Sequence, residues 1–388
     1  MGVGLDLIGI DRELAEDERD IRDLVRRLVD DGVRPHIRQW FEDGAAPVRD
    51  LMVEFGRLGL LGMHLTGYGC AGASAVAYGL ACQELEAGDS AVRSMVSVQG
   101  SLAMYAIWRY GSEEQKQAWL PGMAAGEVVG CFGLTEPDHG SDPASMASRA
   151  TRMPDGDWVL RGTKMWITNA PVADLAVVWA RTEEGIAGFL VPMDTAGVTA
   201  REVPHKLSLR ASATGEIALD EVRLPTVALL PQARGLAAPL SCLTQARYGV
   251  AWGALGAARD CLATTLEYAT TRRQFGRPIG GFQLTQAKLA DATVELAKGQ
   301  LLALHLGRAA DAGSLTPVMV SAAKLNNVRE AIAIARQCRT ILGANGISGE
   351  YPIMRHAANL ESVLTYEGTS EIHQLVIGQH LTGLPAFT

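Results

Sequence analysis

The 388-residue sequence has no stretch that approaches the roughly 18 uninterrupted apolar residues of a membrane span. It also lacks an excess of base: 43 acidic residues stand against 35 basic ones, a net charge of −8. A nucleic-acid binder would carry a basic run or patch; none is present, and nucleic acid is excluded as a partner class. The six cysteines, at 70, 82, 131, 242, 261 and 338, form no CxxC pair and stand with no histidine at zinc-ligand spacing. No metal centre is expected, and the thiols read as reduced and mostly buried. The opening MGVGLDLIGIDRELAEDERD has neither the basic start nor the long apolar run of a secretory signal, and its acids argue against a transit peptide. A cytoplasmic protein is expected. Strand–helix alternation is missing too, which speaks against a doubly wound dinucleotide fold. The glycine-rich LGANG, residues 342–346, follows a helical pattern rather than a strand.

What is present is ample apolar material, 48% of residues, enough for two or three domains or one large one. Ile21, Leu24, Val25, Leu28 and Val29 repeat at helical spacing, and Pro35 breaks that pattern. Helical stretches continue to about residue 126, interrupted by the glycine-rich loop GYGCAGAS, residues 67–74. From 128 to about 235 the runs DWVLRG, KMWITN, LAVVWA, AGFLVP and EIALDEV lie between turn residues and predict an antiparallel sheet or small barrel. From 236 to 388 the pattern is helical again. Ala290, Val294, Ala297, Leu301 and Leu304 form one apolar stripe, and Thr316 with Pro317 starts a further helix that ends at Gly343. The expected fold is mostly α: an N-terminal helical domain (1–127), a central β domain (128–235) and a C-terminal helical bundle (236–388).

Near the C-terminus stands YEGTSE, residues 366–371. By its neighbours alone, Glu367 reads either as a placed base or as an acid in the turn before a last helix, with Thr369 or Ser370 as its cap. Arg93 stands among small and apolar residues. It reads as exposed, paired to Glu86 or Asp89, or buried and waiting for an anion. Trp166 reads as core or as an aromatic cover for a flat ligand. Arg272 suits a diphosphate or a solvated helix end, and the latter fits Arg273 better.

Four separated stretches, CFGLTEPDHGSD (131–142), GTKMWITNA (162–170), RRQFGRPI (272–279) and LGANG with TYEGTSEIH (365–373), resemble the acyl-CoA dehydrogenase family in the expected order. The resemblance spans nearly the whole chain. It implies an FAD enzyme that removes hydrogens from the α and β carbons of an acyl thioester. An α-proton beside a thioester is only weakly acidic, so the chemistry needs a placed base and stabilisation of the developing enolate. Glu367 matches the family's base, its backbone N–H helps to hold the thioester carbonyl, and the β-hydrogen leaves as hydride to the flavin. Phe132, Leu134, Thr135, Trp166, Ile167 and Thr168 match the flavin edge of the β domain. Arg272, Phe275, Gly343, Gly346, Thr369 and Glu371 match positions that line the cofactor, partly from a neighbouring subunit. Ser141 matches a thioester or flavin contact. A homo-oligomer follows, by the family a tetramer, with an electron-transfer flavoprotein as electron acceptor.

Within the family, VRSMVSVQ, SLRASATG, ARYGVAWG and TYEGT look most like the glutaryl-CoA dehydrogenase branch. By that resemblance Arg93 holds the distal carboxylate of the substrate, with Ser94, Glu86 and Thr168 around it. Arg247 and Tyr248 match substrate contacts, and Tyr366 beside the base fits the decarboxylating type. Glutaryl-CoA would become crotonyl-CoA and CO2. Cys70 stands where the family usually has glycine, near the pocket mouth. A related dehydrogenase that does not decarboxylate, or one acting on a carrier-bound acyl chain, is the alternative.

Overall fold

Apolar residues at 3.6-residue spacing set the first elements of the computed structural model, which describes residues 5–387. Helix α1 (Glu16–Gly32) buries Val25, Leu28 and Val29 on one side and ends before Pro35. Helices α2 (Ile37–Asp43) and α3 (Val48–Arg57) follow. The glycine-rich loop is a small hairpin of β1 (Thr66–Gly67) and β2 (Cys70–Ala71). Helix α4 (Ala75–Gly88) is capped by Ser74, whose Oγ accepts from the Ala77 amide at 3.1 Å. It is buried from Val76 to Gly88 on every side, so it is the inner helix of this part of the molecule. Asp89 caps α5 (Ser90–Ser97), which is buried throughout. The chain then widens into π-turns over Val98–Met104 before α6 (Tyr105–Tyr110) and α7 (Glu113–Ala124). Widened turns of this kind concentrate at functional sites.

The sheet has seven strands: β3 (Gly130–Gly133), β4 (Arg149–Arg152), β5 (Trp158–Thr168), β6 (Leu175–Thr182), β7 (Gly185–Pro192), β8 (Val198–Glu202) and β9 (Thr214–Leu224). Their order is β3-β6-β4-β5-β9-β8, with β7 on β6. Most pairings are antiparallel, but β3 and β4 each run parallel to β6. DWVLRG and KMWITN, read as two strands in the sequence, are the two ends of the single strand β5. Register shifts between Leu160 and Gly162 and between Lys164 and Ile167 bend it, as bulges do.

The last part is long and helical: α8 (Ala237–Thr271), a hairpin of β10 (Arg273–Gln274) and β11 (Arg277–Pro278), then α9 (Gln283–Asp311), α10 (Pro317–Leu342), α11 (Ile353–Thr365) and α12 (Ser370–Thr382). Thr316 caps α10 as its sequence requires. The apolar stripe expected on α9 is only partly the buried one. Val294 and Leu301 face outward, while Ala292, Leu296, Gly299, Ala303 and Gly307 pack inward. The reason is close approach: a Cβ on Gly299 would lie 2.6 Å from Leu255 Cδ2, and one on Gly307 2.5 Å from Val76 Cγ2. Small residues, not large ones, choose this face. No helix among the described residues is long and apolar enough to cross a membrane.

Buried ion pairs tie these layers together. Glu84 of α4 accepts from Arg26 Nη2 of α1 at 2.8 Å and from Arg259 Nη2 of α8 at 2.6 Å. Burial works against its charge, but the two guanidinium groups outweigh it and hold the carboxyl down to about 2. The contribution to stability is therefore complete above the ordinary carboxyl value of 4.5 and is lost as pH falls from there towards about 2. Glu84→Gln should cost roughly 2–4 kcal/mol at neutral pH, because it leaves two partly buried guanidinium groups, Arg26 and Arg259, without their buried counter-charge. It should also flatten the acid limb of a urea-unfolding series; an unchanged limb would show that Glu84 does not carry it.

Candidate active site

The first four residues of YEGTSE, Tyr366 to Thr369, form the turn between α11 and α12, and Ser370 and Glu371 open α12. Thr369 is the N-cap of α12, its Oγ accepting from the Ile372 amide at 3.3 Å. Glu367 (φ 56°) and Gly368 (φ 100°) both lie in the left-handed region. For glycine that is free; for glutamate it is strained, and such strain collects at functional sites. Glu367 is thus an acid in the turn before α12, and the turn aims it inward. The residue is half-buried, but its Oε2 is sealed from solvent and has no hydrogen-bond partner. Burial pushes the Glu367 carboxyl above the ordinary range, while Arg93, Lys324 and Arg247 pull it down less strongly.

Arg93 of α5 is fully buried, and its Nε donates to Glu86 Oε2 of α4 at 2.6 Å. Ser90 Oγ donates to the other Glu86 oxygen at 2.8 Å. Arg93 Nη2 donates to the Tyr366 hydroxyl, and the guanidinium lies 5.6 Å from the centre of that ring. Arg93 Nη1 is buried and has no partner. Burial opposes the Arg93 charge, but Glu86, Tyr366 and Glu367 more than offset it and keep the group ionised. Of the three readings of Arg93, the structure joins two: it is paired to Glu86, and it still holds one donor free. Gly253 of α8 makes room for the pair, because a Cβ there would sit 2.1 Å from Glu86 Oε2. Ser94 is buried on the next position of α5.

The β domain meets this cluster through Asn169, which follows β5 with φ 69° and is buried. Its Nδ2 lies 3.3 Å from both Met95 O of α5 and Gly130 O of β3. The LTEP and KMWIT stretches are joined side by side: the Met165 amide donates to Thr135 O at 2.9 Å, and buried Lys164 donates to Glu136 Oε1 at 2.8 Å. At the bulge between them Trp166 has φ 62° and is 58% exposed, so it is not core. An indole held open in a strained conformation is a ready face for a flat aromatic ligand. Thr168, two residues further on, and Thr135, whose carbonyl accepts from the neighbouring Met165 amide, are half-buried. Phe132, Leu134 and Ile167 are buried, and the Phe132 ring lies 5.9 Å from Trp179. These three offer a ligand their backbone rather than their side chains.

The remaining candidates lie elsewhere. Ser141 is exposed. Tyr248 is buried, its hydroxyl donating to Ala75 O at 2.6 Å and its ring stacked 6.2 Å from Tyr78. Arg247 turns to the turn that carries Glu367, with Nε donating to Glu367 O at 2.5 Å. Arg272, Phe275, Gly343 and Glu371 are exposed, and Phe275 tips the β10–β11 hairpin at 94% exposure. Gly346 is buried, and a Cβ there would meet Arg339 O at 2.3 Å.

Two residues at the site were missed in the sequence. Lys324 is 2% exposed and donates to Tyr366 O at 2.7 Å and Gly368 O at 2.6 Å. His373, buried on α12, has its Nδ1 3.1 Å from Ser321 Oγ. A trace of Lys324 was available: with Val320, Ala323, Val328 and Ala331 it falls on the buried stripe of α10. A lysine on an apolar stripe calls for a partner.

Three family models match in order: the acyl-CoA dehydrogenase N-terminal domain at residues 15–127, the middle domain at 131–222 and the C-terminal domain at 233–382. A crystal structure of glutaryl-CoA dehydrogenase from Mycobacterium smegmatis is 69% identical, with a TM-score of 0.98 over 99% of each chain. A second glutaryl-CoA dehydrogenase structure from the same organism, in complex with FADH2, is 62% identical with the same TM-score and coverage. The mitochondrial short-chain specific acyl-CoA dehydrogenase of Homo sapiens is 38% identical over 335 residues, 84% of this chain and 81% of that protein. With three family models matched in order along nearly its whole length, the chain belongs to the acyl-CoA dehydrogenase family.

Proposed function

We propose that this enzyme catalyses the FAD-dependent oxidative decarboxylation of glutaryl-CoA to crotonyl-CoA and CO2. The observation that carries the reading is a pair of sealed atoms without partners on two sides of Tyr366: Glu367 Oε2, an acceptor, and Arg93 Nη1, a donor. One suits an α-proton and the other a distant carboxylate. The charges agree. Arg93, Lys324 and Arg247 surround Glu86 and Glu367, and the partnerless Arg93 Nη1 offers an anionic substrate tail a charged donor. A monocarboxylic acyl chain would leave that donor unmet.

The residues of the β domain fit a flavin: Trp166 offers an open face, and Thr135 and Thr168 with the backbone of their strands offer hydrogen bonds along one edge. Bound flavin supplies the acceptor for the β-hydride. Glu367 takes the α-proton at its carboxylate, and its own amide N–H helps to hold the thioester carbonyl. Arg93, held in place by Glu86 and Tyr366, binds and orients the distal carboxylate until CO2 leaves. Glu367, now protonated, returns a proton to the remaining dienolate. Arg272, Phe275, Gly343, Gly346, Thr369 and Glu371 serve the rest of the cofactor, Ser141 and Tyr248 the thioester end. The exposed Phe275 and the outward Leu284 of α9, 80% exposed, support a homo-oligomer, by family a tetramer. An electron-transfer flavoprotein is the proposed acceptor.

Anaerobic titration of the flavin-loaded enzyme tests the reading. Glutaryl-CoA should bleach the flavin and yield crotonyl-CoA with one CO2, while butyryl-CoA should do so at least about tenfold less efficiently. Faster bleaching by butyryl-CoA without CO2 from glutaryl-CoA would overturn it in favour of a short-chain dehydrogenase.

A further inference from the structure

The turn that carries Glu367 presents three successive carbonyl oxygens, and two cations, buried Lys324 and half-buried Arg247, take all three. Lys324 Nζ donates to Tyr366 O at 2.7 Å and to Gly368 O at 2.6 Å, and Arg247 Nε donates to the Glu367 O between them at 2.5 Å. These carbonyls follow the last turn of α11, where no helical amide is available to them. Left unpaired at a buried site they would be costly, and the turn would relax. The same face of α10 holds the start of α12 as well: Ser321, one turn before Lys324, pairs with His373. Lys324 Nζ also lies 5.9 Å from the centre of the Tyr366 ring, so it braces the residues on both sides of the base.

We propose that Lys324 is the positioning residue for Glu367: it locks the strained turn that aims the carboxylate, and its charge favours the ionised form that accepts the α-proton. The proposal rests on the assignment of Glu367 as the base. Glu367 is strained at φ 56°, so its aim depends on what holds its neighbours. The charged and titratable groups that face it are Arg93 from α5, Glu86 and Cys82 from α4, Arg247 from α8, Lys324 from α10, His373 from α12 and Tyr366 in the turn. Of these only Lys324 touches the backbone on both sides of it. Burial drives the lysine down to about 7 and the carboxyl up, and each charge opposes the shift of the other. His373, held down to about 3 by burial and by Lys324 and Arg247, adds no charge.

Three holoenzyme variants test this: Lys324→Met, with neither donor nor charge; Lys324→Gln, with a donor only; and Lys324→Arg, with both. The rate of flavin bleaching by glutaryl-CoA and by butyryl-CoA is measured across pH. The carboxyl band of residue 367 is titrated in parallel by difference infrared spectroscopy, with Glu367→Gln locating the band. Lys324→Met should bind flavin and lower the limiting bleaching rate about 10²-fold with KM changed less than about threefold, the loss expected of a misaimed base. Its acid limb and the infrared midpoint should both move up by about one pH unit, the effect of removing a nearby opposite charge. Lys324→Gln should show the same upward shift with a smaller loss of rate, and Lys324→Arg should restore the midpoint. Equal behaviour of the three variants, or a midpoint that stays in place in Lys324→Met and Lys324→Gln, would overturn the proposal. If Lys324→Met does not fold, the other two decide it. If neither thioester bleaches the wild-type flavin, the function assigned above fails, and the infrared midpoint still judges Lys324.

Discussion

Glu367→Gln is expected to slow flavin reduction by glutaryl-CoA by about 10⁴-fold, the full value of a positioned general base. The amide has the shape of the carboxylate and keeps the backbone bond from Arg247 and the two from Lys324. It cannot take a proton. Flavin binding and thioester binding should therefore persist, which separates a chemical loss from a folding loss. Anaerobic stopped-flow spectroscopy reads the rate, and isothermal titration with crotonyl-CoA reads the binding. A drop of less than about tenfold would remove Glu367 as the base. In the wild type the same assay should show the rate rising with pH through a midpoint above 4.5, the ordinary carboxyl value. The sign follows from the required form: only the ionised carboxylate accepts a proton, and burial raises the pH at which it forms.

Arg93→Lys is expected to reverse the substrate preference. Lysine keeps a positive charge beside Glu86, so the buried acid is not abandoned, but it loses the planar fork. The Tyr366 hydroxyl and a substrate carboxylate cannot then both be met in the geometry that Nη2 and Nη1 provide. The kcat/KM for glutaryl-CoA should fall about 10²- to 10³-fold, in line with roughly 3–4 kcal/mol for one side of a desolvated charge pair. The value for butyryl-CoA should change less than about tenfold, since it has no tail to hold. An equal fall for both thioesters would mean that Arg93 serves the fold rather than the distal carboxylate. Thermal unfolding of the variant, measured alongside, shows whether the Glu86 pair has survived.

Much of the site was legible because its parts are local. YEGTSE carries an acid, a glycine next to it and a cap after it, and those few residues suffice to make a turn that presents Glu367 before α12. Thr316 and Pro317 announced α10 in the same way. The stripe on α9 misled for the opposite reason. Periodicity locates an apolar face, but which face turns inward depends on how near a neighbour comes, and Gly299 and Gly307 let α8 and α4 come closest. The two runs read as separate strands are one, because Gly162 and Thr163, which look like a turn, stay in the ladder opposite Leu219 and Ala218 of β9.

By itself the sequence determined the helix–sheet–helix order and the family and singled out Glu367 and Arg93 as candidates, since each is written in a short run of neighbouring residues. Only the tertiary structure decided that Arg93 is paired yet keeps one donor free, that Trp166 stands open, and that Lys324 and Arg247 hold the turn. Those contacts join α4, α5, α8 and α10 to a turn that is up to 273 residues away in the chain. Burial and charge act through space, and contacts at that separation leave no period or motif in the sequence to read.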